Sequence, residues 1–101
     1  MKAYRIILAS RVRIQLLNHI QFLSKVSLPA ARRLRSSFKE IIARIGENPF
    51  QFPVDPIFED LNFPYRKALF EKRYKVLFTV SDNVVFIDSV VDCRQNNQSS
   101  E

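Results

Sequence analysis

The chain has 101 residues, enough for one hydrophobic core and too few for two. Apolar residues make up 47% of it and nine residues are Phe, which excludes a chain too poor in core material to fold. The net charge of +6 is unevenly spread: residues 1–46 hold ten Lys/Arg against Glu40 alone, and residues 47–101 hold six against nine acids. Such polarity favours nucleic acid or an acidic protein partner, with a solvated Arg-rich helix face as the competing explanation. A single cysteine, Cys93, excludes an intramolecular disulfide and fits a reducing cytosol. The opening MKAYRIILAS has too short an apolar stretch for a signal peptide, and nothing approaches a membrane span, so a cytoplasmic protein is expected.

Ala3 to Leu8 alternates around Tyr4, Ile6 and Leu8 and is predicted to be a first strand. Ser10 is the expected cap of a helix over Arg11–Lys25, in which Val12, Leu16, Ile20 and Leu23 recur at helical spacing and Leu17 widens the stripe. Ser27 is the expected N-cap of a second helix, with Pro29 in its first turn. Its apolar face is Ala31, Leu34, Phe38, Ile41, Ile42 and Ile45, and Gly46, the only glycine, falls where a left-handed C-cap belongs. So short a link between the two implies an antiparallel helical hairpin.

Residues 47–64 hold prolines at 49, 53, 56 and 64, a density that excludes helix and interior strand. Phe50, Phe52, Phe58 and Phe63 are expected to pin this cross-over to the core. Strands are predicted over 65–70, 73–80 and 84–91, the last two joined by the polar turn Ser81-Asp82-Asn83, and a frayed tail over 96–101. The predicted architecture is α+β: β-α-α-β-β-β, with the helical hairpin packed on one face of a mainly antiparallel sheet, in one domain over 3–95.

Most site chemistries lack their residues. One His (His19) and one Cys make no metal set, one glycine makes no phosphate loop, and Cys93 has no His near it for covalent catalysis. No cofactor is implied. His19 is expected at the surface or at a helix interface. Asp88 and Asp92, four apart on the last strand, are expected to partner Arg73 or Lys75 across the sheet. The remaining chemistry is cationic. On the 73–80 strand Tyr74, Val76, Phe78 and Val80 share the face expected to meet the helices, and Arg73, Lys75, Leu77 and Thr79 share the outward one. Arg66 or Lys67, Arg73, Lys75 and Arg94 are then expected to converge on an open sheet face, where guanidinium groups suit phosphate or carboxylate. No side chain is clearly placed to move a proton there.

The order of elements, a strand shaped Arg/Lys-x-Leu, the segment Tyr74-Lys75-Val76-Leu77-Phe78 and the ending Val90-Val91-Asp92-Cys93-Arg94-Gln95 together resemble the RelE/ParE superfamily of bacterial type II toxin–antitoxin toxins. The resemblance spans residues 3 to about 95. It implies a growth-inhibiting toxin neutralised by a cognate antitoxin, with either ribosome-bound mRNA or DNA gyrase as target. Arg94 matches the C-terminal basic position of both branches, and Lys75 sits where the nuclease branch commonly has Arg. Phe78 replaces the usual Tyr, Asp92 the frequent His, and no Tyr follows Arg94. The C-terminal pattern is nearer the ParE branch, so a gyrase-directed toxin is the leading expectation. A RelE-like endoribonuclease using Arg66, Arg73, Lys75 and Arg94 is the second, and a degenerate toxin serving only as an antitoxin-binding module the third. Target contact is expected at Arg66, Lys67, Arg73, Lys75 and Arg94, and antitoxin contact at Arg32, Arg33 and Arg35.

Overall fold

The computed structural model describes residues 3–56 and 64–94. Its elements are β1 (Arg5–Leu8), α1 (Ser10–Ser24), α2 (Leu28–Glu47), a short 3-10 turn at Pro49–Gln51, β2 (Arg66–Phe70), β3 (Tyr74–Ser81) and β4 (Val84–Asp92). The expected β-α-α-β-β-β order is therefore present. The four strands form one sheet in the order β1-β4-β3-β2, and the helical hairpin covers one of its faces. The sheet is mixed. β2–β3 and β3–β4 are antiparallel, and β1 lies parallel to β4 with Arg5 beside Val84 and Leu8 beside Ile87. A parallel neighbour requires a long crossover, which here is the whole helical hairpin together with β2 and β3.

The core follows the two periodicities. Val12 and Leu23 from α1, and Ala31, Leu34, Phe38, Ile41 and Ile45 from α2, meet Tyr74, Val76, Phe78, Val85, Ile87 and Val90 from the sheet. Leu17 does not join them; it is exposed, so the buried stripe of α1 is narrower than expected.

Local signals held at one helix start and failed at two other helix ends. Ser27 caps α2 by accepting the Ala30 amide at 3.2 Å, with Pro29 in the first turn. Ser10 is already helical. The cap position belongs to Ala9, whose amide donates to the Ile87 carbonyl at 2.9 Å, so sheet pairing sets where β1 ends. Gly46 is a buried residue inside α2, not a left-handed cap. The C-cap is Asn48, whose side-chain oxygen accepts the Phe50 amide at 3.2 Å. Gly46 instead faces β1: its carbonyl accepts the Tyr4 amide at 2.9 Å, and a Cβ there would meet Ile6 at 3.5 Å, ordinary van der Waals contact. Because the site is helical and roomy, Gly46→Ala is expected to stabilise the protein by about 0.4–1 kcal/mol in urea unfolding. A loss of more than about 1 kcal/mol would show that β1 packs too tightly there for a methyl group.

The Pro-rich cross-over is attached to the sheet edge. Val54 bridges Arg66, the Asp55 amide donates to Tyr65 O at 2.7 Å, and the Lys67 amide donates to Pro53 O at 3.0 Å. Phe52 is buried with its ring edge-on to Phe78, whereas Phe50 is exposed. Phe58, Phe63 and the 96–101 tail lie outside the described residues. Among the described residues no helix is long and apolar enough to cross a membrane.

Candidate functional site

β3 carries the first departure that matters for function. Tyr74, Val76 and Phe78 face the helices as expected, but Lys75 and Leu77 on the opposite face are buried as well. Lys75 is 7% exposed and its ammonium donates to Asp55 Oδ2 at 2.9 Å; Asp55 itself is 1% exposed. The outer face is thus not open along its middle, and Lys75 is sequestered in a buried ion pair with the cross-over. The alternation of β3 correctly separates its two faces, but it carries no information about a segment that returns from twenty residues earlier.

The expected convergence of cations is also not found. Arg66 stands opposite Phe78, and Arg73 precedes Tyr74, so their backbones are roughly 17 Å apart at about 3.3 Å per residue. Arg66 donates to the Phe52 carbonyl at 2.6 Å and lies over the Phe50 ring, 5.0 Å from its centroid. Lys67 is half-buried opposite Leu77. Arg73 and Arg94 alone meet, at the end of β4, and what brings them together is Asp92. Its Oδ2 is 3.8 Å from Arg73 Nη2 and its Oδ1 is 3.9 Å from Arg94 Nε. The same Oδ1 accepts the Arg94 amide at 3.0 Å, which holds the backbone turn that carries Arg94 out of the sheet.

The expected Asp92–Arg73 pair is therefore present, while Asp88 pairs with Arg11 of α1 at 4.0 Å instead. A register shift explains the split: Leu77 pairs with Ser89 and Phe78 with Ile87, so Asp88 is the extra residue of a bulge. Alternation does not carry across the bulge, and the two carboxylates do not form a pair.

Against the end of β4 lies a cleft of about 460 Å³ lined by Gln15, Asn18, His19, Phe22, Val90, Val91 and Asp92. Gln15 Oε1 accepts the Val90 amide at 2.8 Å and His19 Nε2 lies 3.0 Å from the Val90 carbonyl, so α1 grips β4 through both backbone groups of one residue. A carbonyl only accepts, which puts the imidazole proton on Nε2 and leaves Nδ1 as an acceptor in the neutral ring. The imidazole also packs on Tyr74, with ring centroids 5.2 Å apart. Burial raises the Tyr74 phenol above its ordinary value; the Arg73 guanidinium, 5.3 Å from the ring centroid, pulls the other way more weakly. Tyr74 is thus a protonated, buried phenol at neutral pH and offers no base.

No model of a known protein family matches the chain, and no curated protein matches it. Arg32, Arg33 and Arg35 are exposed on α2, Arg33 lying 3.8 Å from Glu71 of the β2–β3 turn. Among the described residues no group of three His, Cys, Asp or Glu is placed to hold a metal. Gln15, Asn18 and Phe22 lie off the apolar stripe of α1, yet with His19 their spacing is a signal: 15, 18, 19 and 22 fall at i, i+3, i+4 and i+7, a second helical stripe beside the buried one.

Proposed function

We propose that the chain is a toxin of the RelE/ParE kind, held in check by an acidic antitoxin and acting by binding its target, DNA gyrase, not by cutting RNA. The observation that carries the choice of binding over cutting is the fate of the four cations a nuclease would need. Lys75 is buried against Asp55, Arg66 is committed to Phe52 and Phe50 at the start of β2, and Arg94 alone is well exposed, with a side chain 61% accessible. Phosphoryl transfer needs positioned charge and a group that moves protons. Of the groups that could do so, the phenol beside Arg73 is buried and held protonated, and the His19 imidazole holds the Val90 carbonyl through Nε2. Binding needs less: an exposed guanidinium oriented by Asp92, suited to bidentate contact with carboxylate or phosphate.

The exposed arginines of α2 suit an acidic antitoxin, whose association would be fast and salt-dependent. The test is induced expression in bacteria without a partner. Growth is expected to slow, and Arg94→Ala to relieve the inhibition while changing stability by no more than about 0.5 kcal/mol, as for exposed sites in general. Full growth with soluble parent protein would leave only an antitoxin-binding role, and equal inhibition by the Arg94→Ala variant would remove Arg94 from the site.

A further inference from the structure

Nothing in the toxin reading uses the α1 side of the cleft, yet its groups are of one consistent kind. Four of the seven lining residues (Gln15, Asn18, His19 and Asp92) carry hydrogen-bonding side chains. Gln15 spends its oxygen on the Val90 amide, which turns its NH2 group into a fixed donor. His19, with its proton directed at the Val90 carbonyl, is left with an acceptor nitrogen. Asn18 adds one donor and one acceptor group. Phe22 is an aromatic ring left 60% exposed on the wall, where packing gives it no reason to be. At the end of the cleft Asp92 stands between two guanidinium groups, so that corner carries one surplus positive charge.

We propose that this cleft binds a nucleotide unit, with the base stacked on Phe22 and the phosphate held by Arg94. A base has the flat apolar face that an exposed ring stacks on and an edge of mixed donors and acceptors that amide and imidazole groups match. The cleft volume is in the range of small-ligand sites. Arg94 is available because its side chain is 61% accessible and its contact with Asp92 is long, while the buried Asp92 keeps Arg73 as a partner when Arg94 turns to a phosphate. An acidic peptide would also take the guanidinium and pair with the α1 amides through its backbone, but its backbone brings no flat ring face to stack on Phe22.

The inference does not depend on the toxin reading, since binding at Phe22 is expected whether or not the chain arrests growth. The experiment is a titration of the full 15N-labelled chain, followed by amide spectra, with AMP, GMP, CMP and UMP, with a four-nucleotide single strand, and with inorganic phosphate alone. Saturable shifts are expected at the Gln15 and Asn18 side-chain amides and at the Val90–Asp92 backbone. Saturation by free nucleotides identifies them as ligand, whereas saturation by the strand alone identifies a unit of single-stranded nucleic acid. Phe22→Ala is expected to weaken binding about fivefold or more, the lower end of base–aromatic stacking, in a protein with unchanged dispersion elsewhere. The proposal is overturned if no ligand shifts the cleft resonances, if phosphate alone reproduces the shifts, or if Phe22→Ala binds as tightly as the parent.

Discussion

Asp55→Ala is expected to destabilise the protein by about 3–5 kcal/mol, the usual consequence of leaving one member of a buried ion pair without its partner. Lys75 lies in the central strand β3, 7% exposed, with its ammonium 2.9 Å from Asp55 Oδ2. Removing the carboxylate leaves a largely buried ammonium without this partner. The double change Asp55→Leu with Lys75→Met removes both charges and is expected to lie within about 1 kcal/mol of the parent or above it, because apolar replacement of a whole buried pair is often neutral or stabilising. Urea unfolding of the three proteins separates these cases. If Asp55→Ala unfolds within about 1 kcal/mol of the parent, the cross-over is not held on the sheet by this pair, and Lys75 is again available to a target.

Phe78→Ala comes next in size. Phe78 is fully buried, stands opposite Arg66 in the sheet, and takes the edge of Phe52 at a centroid distance of 6.0 Å. Truncation empties the space between the sheet, the helical hairpin and the start of the cross-over, so the expected loss is about 3–5 kcal/mol. Thermal unfolding within a degree or two of the parent would mean that this face of β3 is not the core.

These two residues mark what the sequence could and could not convey. Phe78 is legible because strand alternation and the helical stripes of α1 and α2 are local patterns, each written within one element. Ser27 is of the same kind, a cap whose bond reaches only three residues. Gly46 misled because a glycine near a helix end has two uses, a left-handed cap or a close approach, and only the position of β1 decides between them. Ser10 misled for a related reason: the Ala9–Ile87 hydrogen bond, made across the whole chain, fixes the strand end.

The site was less legible than the core. Arg73 and Arg94 meet because Asp92 lies between them, and the neighbourhood of Asp92 was readable from β3 and β4 alone. Alternation alone leaves Lys75 on an open face, because nothing in its own strand announces Asp55, which reaches it from a Pro-rich segment with no period to follow. Asp88 and Asp92, four apart, share a face only where alternation runs unbroken, and the bulge that one extra residue creates, with no turn residue to signal it, breaks it. The cleft needs α1 and β4 side by side, a contact between elements at opposite ends of the chain.

The most direct test of a target-binding toxin asks which lesion appears first in bacteria after the chain is induced without a partner. Chromosomal double-strand breaks and ribosome-bound transcripts are followed together over the first generations of slowed growth, with Arg94→Ala as control. Breaks and a DNA-damage response that Arg94→Ala abolishes are expected, with transcripts intact. Transcripts cut within codons before any break appears would contradict it, and would require Lys75 to leave Asp55 and face the RNA.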